Sequence, residues 1–332
     1  MCGLHSKLEL GILTEMIKDV DFACLSETKT DDVDMDFIPP GFKVFHKVKT
    51  NSKFKHGGVH GLCLIAKDIY NIHVLEDIHS HYILWTKVEF KCNFKFILGS
   101  VYVPHESSKY HDPELFEEIA CAIVDVKRKF DLPICLVGDF NSRTGNLADF
   151  IEDEEFSRNK TEYNDEDGDD NFRCTLPVRC NTDTSVNKNG TNLLELCKTS
   201  DLCIVNGRIG DDVFGKCTFA DSSTIDYCLI SRESFELVEN FQVDNFDNTI
   251  SDKHNVIRVY LNTCTTFKNE EEDGNITCTF NEDHSETVRI VWDNSLCGQF
   301  SRKFDEDAIS EISCKIDSLH SELSQSSMDL PF

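Results

Sequence analysis

The feature that most constrains this chain is an apolar run that breaks off on a cluster of polar groups. Leu132 to Val137 reads as a buried strand, followed at once by Gly138-Asp139-Phe140-Asn141. A short apolar run ending at a glycine fits a strand covered on both faces. The strand is expected to stop at the glycine and to present Asp139 and Asn141 on one face, either side of an inward Phe140. A carboxylate that can hold a proton or a cation would then lie beside an amide that can donate to an oxyanion. Such a pair suits phosphoryl chemistry. Alone, Gly-Asp-Phe-Asn reads as readily as a strand closing on an Asp-Asn turn.

Other strand-like runs end in the same manner. Val20 to Leu25 runs into Ser26-Glu27-Thr28, and Phe94 to Val103 carries Tyr102 near its end. Phe42 to Val48, Val59 to Ala66, Ile83 to Phe90 and Leu202 to Val205 complete the early set. Asp226 sits inside the apolar run Thr224 to Ser231. A buried carboxylate needs a partner, and a histidine is the partner that chemistry favours. Ser251-Asp252-Lys253-His254, just before the strand Val256 to Leu261, supplies one.

Helices are expected between these strands. One is capped by Ser6 and runs to about Asp19, with Leu8, Ile12 and Met16 on one face. A second starts at Asp112-Pro113, the proline taking the first helical position, and buries Leu115, Phe116, Ile119, Ile123, Val126 and Phe130. A third, short one holds Leu193, Leu194, Leu196 and Cys197, after a long acidic loop from Glu152 to Asn189. Strand-heavy halves with helices between them predict an α/β, four-layer sandwich: two face-to-face, mostly antiparallel β-sheets with helices on the outside. This domain is expected to span residues 1–262. Residues 263–332 read as an acidic linker and an amphipathic helix, with Ile309, Ile312, Ile316, Leu319 and Leu323 on one stripe. That stripe would bury itself by self-association or by docking onto the domain.

Composition narrows the class. The longest apolar runs are too short to cross a bilayer, so no membrane partner is expected. Sixteen cysteines are scattered singly without a C-x-x-C pair, which argues for buried reduced thiols and against zinc. With no signal-like start, the chain reads as nuclear or cytoplasmic. A formal charge of −27 argues against a generic nucleic-acid binder, though much of the excess falls in Glu152 to Asp170 and Glu270 to Asp273.

The ordered series Ser26-Glu27-Thr28, Gly57-Gly58, Tyr102-Val103-Pro104, Gly138-Asp139-Phe140-Asn141, Ile225-Asp226-Tyr227 and Ser251-Asp252-Lys253-His254 resembles the endonuclease/exonuclease/phosphatase superfamily. Within it, Val205-Asn206-Gly207 and Ile290-Val291-Trp292-Asp293 look most like the endonuclease domain of non-LTR retrotransposons. The resemblance implies a Mg2+- or Mn2+-dependent phosphodiester hydrolase acting on nucleic acid, with DNA the expected substrate. It implies Glu27 and Asp252 at the metal. Asp139 would activate the water and Asn141 would assist at the phosphate. Tyr102 would contact the phosphate, and Asp226 would orient His254 toward the scissile group. Three departures stand out. The family opens with Asn-x-x-Gly-Leu, of which only Gly3-Leu4 fits, so a first strand and its asparagine are expected to be cut away before Met1. Lys253 separates Asp252 from His254, and His105 follows Pro104 where the family often has asparagine. An impaired remnant serving as a partner-binding module, or a phosphatase of the same superfamily, remain the alternative readings.

Overall fold

A computed structural model of the chain describes residues 11–28, 38–49, 59–151, 176–251 and 253–263. All of them belong to the unit Met1–Lys268. The Ser6 cap, Asp252, Ile290 to Asp293 and the Ile309–Leu323 stripe lie outside the described residues.

A six-stranded sheet forms the centre. Its order is β4 (Asn71–Val74), β5 (Ile83–Glu89), β6 (Lys95–Tyr102), β7 (Ile134–Asp139), β9 (Asp226–Ser231) and β8 (Leu202–Ile204). Neighbours are antiparallel except β6 and β7, which run parallel. That exception follows from α2 (Leu115–Lys129), since a parallel return needs a crossover of at least a dozen residues. A three-stranded sheet contains β1 (Phe22–Leu25), β3 (Val59–Lys67) and β2 (Phe42–Lys49), and β10 (Val238–Val243) pairs with β11 (Ile257–Leu261) in a separate ribbon. The described residues therefore hold three sheets where two were expected. A register shift between Val238 and Asn240 breaks the alternation of β10, which hides that strand from periodicity.

Packing follows from which face each apolar side chain takes. Ile83, Trp85, Ile97, Ile134, Leu136 and Leu229 meet α2 and α3 (Lys188–Thr199) on one face of the central sheet. Leu84, Leu98, Cys135 and Ile230 face the other way, toward Leu62 and Leu64 of β3 and Phe241 of β10. Leu13 and Ile17 of α1 (Ile12–Ile17) pack on Ala23, Leu25, Cys63 and Ile65 of the smaller sheet.

Helix α2 buries Leu115, Phe116, Ile119, Ala122, Ile123 and Val126 at three- and four-residue spacing. Glu117 and Glu118 lie in its first turn and Lys127, Arg128 and Lys129 in its last, the arrangement the helix dipole favours. It begins at Leu115, two residues after Pro113, because the Asp112 carboxylate accepts the Glu114 N–H (3.0 Å) and holds the intervening residues in a turn. Cys121 falls on its outer face and is exposed, against the expectation of a buried thiol. Helix α3 starts earlier than expected, at Lys188, because the Asn187 side chain caps the Gly190 N–H (2.7 Å).

Candidate active site

The register of the central sheet sets three of the candidate side chains in a row. Tyr102 is opposite Asp139 across the parallel pair, and Asp139 is opposite Asp226 across the next, antiparallel one. The row needs the strands to stay paired to their ends. β7 accordingly does not stop at Gly138, as the sequence suggests, but continues through it to Asp139. A Cβ at Gly138 would stand 2.1 Å from the Val101 carbonyl oxygen, so only glycine lets the two strands approach here.

Asn141 is brought to Asp139 by a turn rather than by the pleat. Its backbone is left-handed (φ 46°), its N–H donates to Asp139 Oδ1 (2.8 Å) and its Nδ2 to Asp139 Oδ2 (3.0 Å). Nδ2 also donates to the Val103 carbonyl (2.9 Å). Asn141 thus holds Oδ1 of Asp139 through its backbone N–H and Oδ2 through its side-chain amide, and the expected shared pleat face is not how the pair forms. Burial, then the Asp226 carboxylate, pushes Asp139 well above the ordinary carboxylate range, with Glu27 adding to the effect. The charge of His254 and the Asn141 N–H pull the other way.

Asp226 finds the histidine that the sequence offered it. Both of its oxygens lie against His254 Nδ1, at 3.1 and 3.0 Å. A carboxylate only accepts, so Nδ1 carries the proton and Nε2 is left for a ligand. Burial lowers the His254 pKa, but the hydrogen bond and charge of Asp226, joined by Asp139, outweigh it and hold the group above 6.5. The histidine is fixed by a hairpin. Thr218 to Ser223 closes with Ala220 and Asp221 both left-handed (φ 48° and 51°), a two-residue turn of the type that matches strand twist. Phe219 pairs with His254 across an isolated bridge, and the two rings meet edge-on at 4.8 Å.

Glu27 enters from the other sheet. It follows β1 in a left-handed conformation (φ 52°), and its carboxylate accepts a hydrogen bond from the Tyr102 hydroxyl. The next residue anchors it, since the Thr28 N–H donates to the Gly61 carbonyl (3.1 Å).

Several supporting residues carried no strong signal. Asn206 Nδ2 donates to the Asp226 carbonyl (3.0 Å) while its Oδ1 accepts the Cys228 N–H (3.0 Å), so one side chain replaces a strand neighbour beside β9. Thr218 Oγ1 accepts the N–H groups of Ile225 and Asp226, both at 3.0 Å. Arg143 grips Asp183 through Nε (2.8 Å) and Nη2 (2.5 Å), and Asp183 accepts the Thr224 N–H (3.1 Å). The end of the long acidic loop therefore ties the segment after β7 to the segment before β9. The polar run Asn187-Lys188-Asn189-Gly190 ahead of apolar Leu193 is a cap signal that would have pointed to α3's start. The Arg143–Asp183 tie spans forty residues and leaves no local trace.

The ligand atoms of Asp139, Asp226 and His254 all lie within 4.8 Å of one another. Of the residues singled out in the sequence, Glu27, Tyr102, Asp139, Asn141, Asp226 and His254 converge; Asp252 lies outside the described residues. The described residues share their fold with a solved AP endonuclease. The AP endonuclease LMAP from Leishmania major superposes with a TM-score of 0.54 at 10% identity, over 78% of this chain and 84% of that one. Also similar are the endonuclease domain of TRAS1, a telomere-specific non-LTR retrotransposon (TM-score 0.48, 15% identity, 79% of this chain and 94% of that one), and the 3′-5′ exonuclease NExo from Neisseria meningitidis (0.47, 14%, 78% and 96%). At such identities the likeness is one of fold. No family profile and no curated protein sequence matches the chain. No helix of the described residues is long and apolar enough to cross a membrane.

Proposed function

We propose that this chain is a divalent-metal-dependent phosphodiester hydrolase that cleaves nucleic acid, DNA in the first instance, and that it derives from the endonuclease domain of a non-LTR retrotransposon. The observation that carries the reading is the row Tyr102–Asp139–Asp226 closed by the His254 pair at one end and Glu27 at the other. The retrotransposon origin is supported by the Val205-Asn206-Gly207 motif and the order of the others.

The donor set suits a hard cation such as Mg2+ or Mn2+. Carboxylates gather here, Glu27 on the Tyr102 hydroxyl and Asp139 opposite Asp226, and hard cations favour such oxygen ligands. Glu27, and Asp252 by resemblance, would hold it, and when bound it would polarise a phosphoryl oxygen. Asp139, oriented through both oxygens by Asn141, takes the proton of the attacking water. The water oxygen bonds to phosphorus and one phosphorus–oxygen ester bond breaks. Asp226 favours the charged form of His254 and aims Nε2 at a phosphoryl oxygen, where charge builds in the transition state. Tyr102 positions Glu27.

The test is nicking of supercoiled plasmid by purified protein with Mg2+ or Mn2+. The parent is expected to nick and Asp139→Asn to lose activity by at least about 100-fold, with an unchanged circular dichroism spectrum. Equal nicking by both proteins would refute the assignment. Turnover of a phosphomonoester with no nicking would move the chain to the phosphatases of the superfamily.

A further inference from the structure

We infer that Lys253, seated on the Phe219 ring beside His254, contacts a backbone phosphate adjacent to the scissile one and sets how tightly the nucleic acid is held. The inference rests on the hydrolase reading above and names a contact that reading does not contain. Lys253 is the residue that separates Asp252 from His254, where the resembling family has none. Its position follows from the hairpin. The Ala220 N–H donates to the Lys253 carbonyl (2.9 Å), and the Asn255 N–H donates to the Thr218 carbonyl (2.7 Å), so the backbone on both sides of His254 is pinned to one turn. From there the Lys253 ammonium lies 5.7 Å from the centroid of Phe219, the ring that also meets His254 at 4.8 Å. Ammonium and imidazole thus both lie against one aromatic ring at the edge of the site.

Charge makes the placement consequential. The chain carries a net −27, so its overall field repels a polyanion, and binding must come from local cations. Several nearby cations are already committed. Arg143 is bound to Asp183 and Arg208 to Asp149, while Lys216 donates to Val243 O, Asp244 O and Asn245 Oδ1. Lys253 is exposed, and among the described residues no carboxylate pairs with it. A ring beneath an ammonium restrains the side chain without neutralising it. Cation–π attraction at an exposed site is weak, so the charge stays available to a phosphate. With the scissile group placed at His254 Nε2, the neighbouring phosphate is assigned to Lys253 because ammonium and imidazole lie against the same Phe219 ring, 5.7 and 4.8 Å from its centroid.

The experiment measures plasmid nicking by the parent, Lys253→Gln and Lys253→Arg over a series of salt concentrations. For Lys253→Gln, KM is expected to rise about fivefold at low salt with kcat within about twofold of the parent, and the slope of log(kcat/KM) against log[salt] to shrink by about 0.9. Lys253→Arg should restore both. A purely structural role on Phe219 predicts a changed melting temperature with KM and slope unmoved. That result, or a fall in kcat at constant KM, overturns the phosphate contact and leaves the hydrolase reading intact. A parent that nicks neither DNA nor RNA brings down the hydrolase reading and this inference with it.

Discussion

Replacing Asp226 by asparagine removes a charge while keeping the shape of the site, and its effect can be worked from the geometry. Asp226 holds His254 Nδ1 at 3.0 and 3.1 Å, and a hydrogen bond to a charged group contributes about 1.5–3 kcal/mol. The His254 side chain is 34% exposed, so solvent screens the pair and the low end of that range applies. Asp226→Asn should therefore lower the His254 pKa and remove about 1.5 kcal/mol of interaction with its charged form. The sign matters for stability. The folded pKa lies above the ordinary value, so the pairing stabilises the fold fully below the unfolded pKa and the contribution is lost as pH rises through the folded one. Asp226→Asn should flatten that dependence.

The assay is a titration of the His254 ring resonances by NMR between about pH 5 and pH 9, without divalent cations, for both proteins. Nicking at neutral pH should fall in parallel, by about 10-fold or more, because less of the imidazole is cationic. An unchanged His254 titration would show that Asp226 is held by its backbone contacts to Thr218 and Asn206 alone, and the reasoning that links the pair to catalysis would fail.

Arg208 and Asp149 form a buried bidentate pair, each side chain 1% exposed, so Arg208→Met should cost about 3–5 kcal/mol in chemical denaturation, while Arg208→Met with Asp149→Leu should recover most of it. Burial raises the Asp149 pKa but Arg208 outweighs it and holds the group low; its contribution is present above the unfolded pKa and disappears as pH falls through the folded one. Asn206→Ala removes both hydrogen bonds beside β9 and should cost about 1–3 kcal/mol, with nicking reduced more than the loss of folded protein explains. Added Mg2+ should raise the melting temperature less as the pH falls, because a carboxyl held above the ordinary range takes up a proton sooner than a free one; a rise independent of pH would show that Asp139 is not near the ion.

What the sequence made legible was set by how local the cause is. β5, β6, β7 and β9 are nearly all buried, so their apolar runs stand out, and the polar residues at their ends are conspicuous for the same reason. β4 was not seen because its four residues are exposed except for a half-buried Ile72 and owe their conformation to pairing with β5. The conformation of Asn141 was misread since a left-handed residue leaves no mark on hydrophobic spacing. The acidic stretch looked structureless to its end, yet Arg179, Asn181 and Asp183 are buried there. Their burial depends on Thr144, Thr224 and Arg143, residues far away in sequence. Asp139 and Asp226 were both visible, but that they face each other is a matter of register between β7 and β9.

That register is itself unfavourable, and the way it is tolerated says where the fold concentrates its constraints. Like charges directly opposite on paired strands repel. Here the repulsion is met by His254 on Asp226 and by the Asn141 donors on Asp139, and each of those partners is held by backbone in an uncommon conformation. Left-handed non-glycine residues among those described are Glu27, Asn93, Asn141, Asp201, Ala220 and Asp221. Two of them, Glu27 and Asn141, are members of the cluster, and two more, Ala220 and Asp221, form the turn that holds His254. Asparagine and aspartate adopt this conformation at little cost, whereas Glu27 and Ala220 each bear strain of order 1–3 kcal/mol. Strain of that size persists only where the surroundings over-determine it. At Glu27 they are the Tyr102 hydroxyl and the adjoining Thr28–Gly61 bond, and at Ala220 the Lys253 carbonyl. A chain selected for stability alone would have glycine at Ala220 and one carboxylate fewer between β7 and β9. Strain and repulsion gather at one end of the central sheet, above a core that breaks neither rule, and that concentration is what the proposed hydrolase site predicts.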